Sequence, residues 1–381
     1  MPNNKRILLL VTQADWGGVQ SFLVRFGADL MKEGHTVLLA AGGEGELWAN
    51  AKAKGIPCHQ LRYMTRELSL KDDVQGTREV IALIDEFKPD AIHLNSSKMG
   101  VIGSLAAKFS KTHPRVVYRI GGWSFLEPMA AWKQWTYRTS EYLTAGMKDV
   151  IITVHPNDEA LARELNFRPR ERITTAANGI EIDTFVPALY TRADARAKLG
   201  IPENIFVFGT VANPYPAKAL PAYLDVVDSL LSKDAGILAI ILGGGAGFEE
   251  LVAKRDTLKN KDRILLPGRR DDATKLYTAF DCFVLPSIKE GMPWAVLEAM
   301  SAGNPCITTN VGACKWMVES EDGNCGIVVP ASDPIALEEA MKTLKNDPER
   351  CERFSKAARE AIIKRFTWKN TYQGNRDAVM G

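Results

Sequence analysis

Several things are scarce in this sequence, and each scarcity closes a class of function. No apolar run in its 381 residues approaches the roughly 20 needed to cross a bilayer. The six cysteines (Cys58, Cys282, Cys306, Cys314, Cys325, Cys351) include no Cys-x2-Cys pair. Most lie in apolar surroundings and read as reduced core thiols of a cytosolic protein, so neither a zinc site nor a disulfide framework is suggested. No Asp-x-Asp motif follows an early strand, so nothing calls for a divalent metal. The net charge of +2 is too small to argue for nucleic acid. The one glycine-rich turn, GGGAG (Gly243 to Gly247), lacks the Gly-x-Gly-x-x-Gly spacing, and no acidic residue sits about 20 residues on at the end of a next strand, which leaves a dinucleotide site poorly supported. There is no internal repeat and no low-complexity segment. The start, MPNNKRILLLVTQ, has no small-residue cleavage site and reads as a first buried strand rather than a signal peptide.

What is present is a regular alternation. The composition, 46% hydrophobic and 25% charged, is globular, and the length predicts two domains. Short, nearly continuous apolar runs alternate with helical patterns, the signature of parallel sheets with crossover helices. In the first half the runs are residues 6–12, 36–42, 91–95, 116–121 and 150–154, with helical stretches at 20–33 and 77–86. In the second half they are 206–212, 237–243, 263–268, 282–287, 305–310 and 326–330. A boundary is expected after NGIEIDTFVP (Asn178 to Pro187), where a strand-like run gives way to a connection before a helix at Arg192 to Leu199. Ligands of open α/β sheets bind outside the carboxyl ends of the strands, so the chemistry belongs in the loops that follow strands.

The most informative loop is EGMPWAVLEAMSAGNPCITTN, Glu290 to Asn310. Glu290 follows the apolar run CFVLPS, in a loop with Gly291 and Pro293. Glu298 lies inside a helical pattern from Pro293 to Ala302. Proline suits the first helical turn because its missing N–H would have had no partner there. The helix would turn free N–H groups and a partial positive charge toward the loop, a place for a diphosphate. Glu290 would border that site and Glu298 would reach a diol from one turn inside.

This pattern resembles the retaining glycosyltransferases of family 4, whose fold is GT-B: α/β, two Rossmann-like domains with parallel sheets facing across a cleft. The resemblance covers almost all of the chain, from Gly17 to the last helix. It implies domains at 1–187 (acceptor-binding) and 188–364 (nucleotide-sugar-binding), and a C-terminal helix, 365–381, crossing back to the first. It implies a UDP- or GDP-sugar donor, no cofactor, and transfer with retention to a glycan or polyprenyl-linked acceptor. Glu290 takes the place of the residue near the transferred sugar's hydroxyls, and Glu298 that of the ribose ligand. Gly17 and Gly18, opening a helix after the first strand, match the glycine pair bordering the diphosphate and the acceptor. In GTVANPYPAKAL, Lys218 falls on the lysine that holds the diphosphate, while Asn213 stands where the family has arginine. An amide donates hydrogen bonds but brings no charge, so Arg269 and Arg270 are candidate substitutes. Gly243 would lie beside the nucleotide, with Gly291, Met292 and Pro293 at the helix tip.

A second departure lies in VVYRIGGWSF, where Gly121 occupies the position of the family's histidine. His93 aligns with another histidine of many relatives and is a catalytic candidate beside Glu290 and Lys218. The alternative for His93 is a satisfied core residue. Trp123 offers a flat face for a sugar, or packs in the core. Ser96 and Ser97 would contact acceptor or cap their helix.

Residues 127–148 interleave Trp132, Trp135, Tyr137 and Tyr142 with Lys133, Arg138 and Lys148. That composition suits a membrane interface, or a helix packing its aromatics on the first sheet. The expected protein is therefore a cytoplasmic glycosyltransferase, with contact to the inner membrane face left open. The alternatives are a catalytically degenerate GT-B protein that binds a sugar nucleotide, and a GT-B nucleotide-sugar epimerase.

Overall fold

In the computed structural model, which describes residues 4–67, 69–320 and 323–381, the chain forms two compact units. One is Met1–Asn178 with Thr371–Gly381, and the other is Gly179–Asn370.

The first unit holds seven parallel strands: β1 (Arg6–Gln13), β2 (Thr36–Gly42), β3 (Cys58–Leu61), β4 (Ala91–Asn95), β5 (Arg115–Ile120), β6 (Val150–Thr153) and β7 (Arg172–Thr175), in the order β3-β2-β1-β4-β5-β6-β7. Ile7, Leu8, Leu9 and Leu10 are all fully buried, because helices cover both faces of the sheet. Strand order reverses between β1 and β4, which pair in parallel from Ile7↔Ala91 to Val11↔Asn95. The end of the chain, in helix Trp368–Met380, is tied to this unit. Tyr372 Oη and Arg376 Nε donate to the two oxygens of Glu33 at 2.9 and 2.6 Å, and Arg115 Nε donates to Ala378 O at 2.8 Å.

The second unit holds β8 (Phe206–Val211), β9 (Ile237–Leu242), β10 (Ile264–Gly268), β11 (Cys282–Leu285) and β12 (Cys306–Thr309). A two-residue ribbon, β13 (Glu319–Ser320) with β14 (Gly323–Asn324), precedes β15 (Gly326–Val329). The parallel sheet runs β10-β9-β8-β11-β12-β15, and its order reverses between β8 and β11. The loops after these two neighbours leave the same edge of the sheet.

The apolar runs read from the sequence all form strands, within a residue or two at each end. Besides the two-residue ribbon β13–β14, the missed strands are β3 (CHQL) and β7 (RITT), the two edges of their sheet. An edge strand is only partly covered, so it carries no continuous apolar run. The helical stretch expected at 77–86 extends to Leu70–Phe87, with Ser69 Oγ accepting from Asp72 N as its cap. One expectation fails outright: the strand-like run after Asn178 is a helix, Ile182–Ala188, with Pro187 in its last turn. It packs against helix Trp294–Ala302, which draws these residues into the second unit and moves the crossing back to Asn178–Gly179. The second crossing lies at Asn370–Thr371, inside the last helix rather than ahead of residue 365.

Candidate functional site

In the second unit, the loops after β8 and β11 are joined by a backbone hydrogen bond from Ile288 N to Ala217 O, 2.8 Å. The β8 loop makes a short turn, Pro216–Lys218, and Ala219 then takes a left-handed conformation before helix Leu220–Lys233. This turn brings Lys218 to Glu290. Lys218 Nζ donates to Glu290 Oε1 at 2.6 Å, and Ser287 Oγ donates to the same oxygen at 2.6 Å. Their side chains are 22% and 9% exposed, so the pair is only partly screened. Among the described residues no hydrogen bond to Oε2 of Glu290 accompanies the two to Oε1.

The backbone under Glu290 is clamped from the β12 loop. Ala313 N donates to Gly291 O at 2.7 Å. Gly312 has φ +51°, and a Cβ there would lie 2.3 Å from Gly291 O and 2.4 Å from Glu290 O. Only glycine permits that approach. Gly291, Met292 and Pro293 are buried. Pro293 is the N-cap of helix Trp294–Ala302, with φ −72° and ψ 124°, rather than its first helical residue as expected. The extended ψ places it half a step outside the helix. No acidic side chain occupies the first turn and no side chain caps it, so the helix tip keeps its N–H groups and partial positive charge.

Glu298 lies within that helix, partly accessible, and Oε2 accepts a hydrogen bond from Tyr277 Oη at 2.7 Å. Burial pushes its carboxyl up to about 7, and the hydrogen bond from Tyr277 opposes that rise. The glycine turn after β9 is built against the β8 loop. Asn213 Oδ1 accepts from Gly244 N at 3.2 Å, and a Cβ at Gly243, where φ is +158°, would lie 2.0 Å from Ala212 O. Asn213 therefore spends its carbonyl on holding the turn and keeps Nδ2 as a donor. Arg269 is exposed at the end of β10, and Arg270 forms a two-point ion pair with Asp272 at 2.8 and 3.0 Å.

In the first unit, Gly17 and Gly18 do open a helix, Gly18–Lys32, after β1. Its first turn has no acidic residue and no side-chain cap. Two candidates are displaced into the core. His93 is fully buried on β4, its ring 5.2 Å from that of Phe26 and 6.0 Å from that of Phe22. Its Nδ1 lies 3.0 Å from Asn95 Nδ2. Burial, with the charge of Arg119 adding to it, pushes His93 down to about 3. A neutral imidazole closed off from solvent meets no substrate, which removes His93 from the catalytic candidates. Trp123 is likewise fully buried, stacked on Phe125 at 5.5 Å, and its Nε1 donates to Asp158 O at 3.1 Å. Its face is covered, so it offers no sugar platform. Ser97 is buried and bonded to Ser124 Oγ at 2.7 Å, which takes it out of the acceptor set. Ser96 remains partly accessible, caps helix Ser97–Phe109 by accepting from Met99 N, and bonds to Thr12 Oγ1. Its φ of +88° is one that residues other than glycine avoid. Gly121 is exposed, and a Cβ there would touch only Val19 Cγ2 at 3.9 Å.

Helix Ala131–Ala145 turns Tyr137 to the core, but Trp132 is 63% and Trp135 68% exposed, and Tyr142 and Leu143 are exposed on the same side. Packing on the sheet therefore accounts for Tyr137 but not for Trp132, Trp135 or Tyr142. Among the described residues no helix is long and apolar enough to cross a membrane.

The residues that sequence reasoning did not find are Ser287, Tyr277 and Gly312. Ser287 ends the motif that was singled out. Tyr277 lies in an ordinary apolar stretch, and nothing in its spacing marks it.

Two family profiles match the chain: "Glycosyl transferase 4-like domain" over residues 17–179 and "Glycosyl transferases group 1" over residues 191–361. The chain is 31% identical over 292 residues to an Escherichia coli UDP-Gal:alpha-D-GlcNAc-diphosphoundecaprenol alpha-1,3-galactosyltransferase, covering 74% of this chain and 73% of that protein. It is 24% identical over 338 residues to the Staphylococcus aureus capsular polysaccharide biosynthesis glycosyltransferase CapM, covering 87% and 85%. Among solved structures, Anabaena HepE in complex with UDP superposes with a TM-score of 0.82 at 19% identity, over 98% of this chain and 99% of that one.

Proposed function

The chain belongs to the group 1 glycosyl transferases, and from that premise we propose that it moves a sugar from UDP to a polyprenyl-diphosphate-linked glycan, with retention of anomeric configuration. It is a glycosyltransferase of the GT-B fold, and a nucleotide-diphosphate sugar is its donor. The finer choice of uridine is supported by the UDP held in the Anabaena structure and by the donor named for the Escherichia coli relative. The lipid-linked acceptor is supported by that relative's name.

The observation that carries the reading is the grouping of Lys218, Glu290 and the tip of helix Trp294–Ala302 at the exit of two adjacent strands, β8 and β11. In the transfer, the bond between anomeric carbon and phosphate oxygen breaks and its electron pair goes to the diphosphate, while the acceptor's hydroxyl oxygen bonds to the anomeric carbon and its proton passes to the departing diphosphate. Lys218 and the helix tip oppose the charge that builds there, which is leaving-group stabilisation. Lys218 as a point charge is free to exchange Glu290 for phosphate without the fixed geometry of a guanidinium. Glu290, bonded through Oε1, holds a sugar hydroxyl through Oε2. Glu298 holds the ribose diol, Asn213 fixes the Gly243–Gly244 turn beside the nucleotide, and Arg269 is the further cation of the donor site. The first unit binds the acceptor, with Gly17, Gly18 and Ser96 at the exits of β1 and β4.

Membrane contact through helix Ala131–Ala145 belongs to the same reading. Two exposed indoles with Lys133 and Arg138 match the chemistry of an anionic bilayer surface. Contact at the cytosolic face would bring the enzyme to a lipid-linked acceptor.

The alternative, a sugar-nucleotide-binding protein without turnover, draws on Gly121, which has room for a side chain and carries none. The test is a thermal-shift panel of UDP-, GDP-, ADP- and CMP-sugars, followed by transfer from the stabilising donor to a polyprenyl-diphosphate sugar. Product formed by the wild type and lost in Glu290→Gln supports the transferase; donor binding with no product from any acceptor sinks it.

A further inference from the structure

We propose that Tyr277 is the positioning residue of the donor site: it holds one oxygen of Glu298 so that the carboxylate meets the ribose diol in a fixed orientation. The inference rests on the reading of Glu298 as the diol ligand. Tyr277 begins a short 3-10 turn, Tyr277–Ala279, just ahead of β11, and is fully buried. The turn is pinned at three points. Asn304 Nδ2 donates to Tyr277 O and to Phe280 O, both at 3.1 Å, and Thr278 Oγ1 donates to Tyr190 O at 2.9 Å. The ring lies between those of Phe280 and Phe283, with centroids 5.7 and 5.9 Å away. Among the described residues its hydroxyl has one acceptor, Glu298 Oε2 at 2.7 Å.

Such a ring has no freedom to search, so its hydroxyl fixes where the carboxylate lies. A carboxylate has about four lone-pair sites. Tyr277 takes one on Oε2, which leaves a second there and both on Oε1, enough for two adjacent hydroxyls. Burial, the nearby Glu298 charge and this bond all hold the phenol well above its usual range, so it remains a donor at every working pH. Other titratable or charged groups lie on the elements packed against the glutamate's helix: Asp183 on Ile182–Ala188, Cys282 on β11, Cys306 on β12, and Arg359, which donates to Ala302 O at 3.2 Å. Among the described residues none of these bonds to Glu298, and the phenol is the group that does, setting its geometry and favouring its charge.

The experiment uses the full chain and UDP-glucose, whose diphosphate has no group titrating near neutrality. Affinity is measured by calorimetry from about pH 5.5 to about pH 8.5, across the range in which the carboxyl titrates. Wild-type affinity is expected to rise with pH as Glu298 ionises. Tyr277→Phe removes a donor that favours the charged form, so the midpoint should move to higher pH, and affinity at neutral pH should fall about tenfold. KM for the donor should rise with kcat little changed. Incorporating 3-fluorotyrosine at position 277, a stronger donor of the same shape, should move the midpoint the other way. That second variant keeps the test decisive if the phenylalanine variant folds poorly.

A Tyr277→Phe profile that superimposes on wild type, with Glu298→Gln weak and flat, would overturn the role of Tyr277 alone. Glu298→Gln binding UDP-glucose like the wild type, or a wild type that does not bind it, would overturn the underlying reading instead.

Discussion

Lys218 Nζ and Glu290 Oε1 stand 2.6 Å apart, joined across 72 residues of chain and two strand-end loops. Each is therefore held in place before any ligand arrives. Lys218→Ala removes the cation proposed to face the departing diphosphate and leaves Glu290 Oε1 with Ser287 as its partner among the described residues. We expect kcat for sugar transfer to fall by about 10²–10³, with a smaller rise in donor KM. Steady-state kinetics with the donor chosen by thermal shift decides it. A fall confined to KM would assign Lys218 to ground-state binding only.

Glu298 makes a prediction about the ligand-free protein. Its folded-state carboxyl lies at about 7, above the usual carboxylate value of 4.5. The folded form thus holds its proton more tightly than the unfolded form. The stability this provides is complete below about pH 4.5 and is lost as pH rises through about 7. Glu298→Gln should accordingly raise Tm more at pH 8 than at pH 5, with a gain at pH 8 of about 2 kcal/mol once partial solvent access is allowed for. Calorimetric scans at the two pH values check it. An equal effect at both would place the carboxyl in the ordinary range.

His93 should matter to folding and not to turnover. His93→Ala opens a hole between Phe22, Phe26 and Asn95 and should cost about 2–4 kcal/mol in urea unfolding. The kcat of the folded fraction should stay within about twofold, since no substrate reaches the ring. A specific loss of kcat with unchanged stability would return His93 to the catalytic set.

Trp132 and Trp135 are expected to behave in the opposite way. Replacing both with serine removes little buried area, so stability should change by less than about 0.5 kcal/mol per site. Co-sedimentation with phosphatidylglycerol vesicles should drop by at least about tenfold. Vesicle binding that survives the double substitution would move the membrane surface elsewhere.

Gly312 tests the clamp beneath Glu290. A methyl group at Gly312 meets two carbonyl oxygens within 2.4 Å, so Gly312→Ala must push the Glu290–Gly291 backbone aside. Donor turnover should fall by more than about tenfold even where the protein still folds, because a misplacement of the order of 1 Å at the reacting centre is costly. Near-wild-type kinetics would show that the loop tolerates displacement.

How much of this was legible in advance depends on where each residue's signal lies. The inner strands announced themselves because a strand covered on both faces must be apolar throughout, as Ile7–Leu10 and Ile237–Leu242 are. The edge strands β3 and β7 gave no such run. Residues 182–188 misled because IDTFVP alternates like a strand, while its contact with helix Trp294–Ala302 makes it helical. Motif spacing placed Lys218 and Glu290 in strand-end loops and Glu298 in the helix that follows, and that is where they lie.

The same reasoning was blind to exposure. His93, Trp123 and Ser97 have chemistry that suits a site, and the fold buries all three. Trp132 and Trp135 resemble core residues by type, and the fold leaves them out. The sequence by itself determined the alternation of strands and helices, the glycines that loops need and the family to which these belong, because each is written in local patterns a few residues long. Only the tertiary structure decided that Lys218 reaches Glu290, that Tyr277 holds Glu298 and that His93 is sealed away. Those outcomes depend on which strands become neighbours in the sheet, and that order is set by packing across the whole chain.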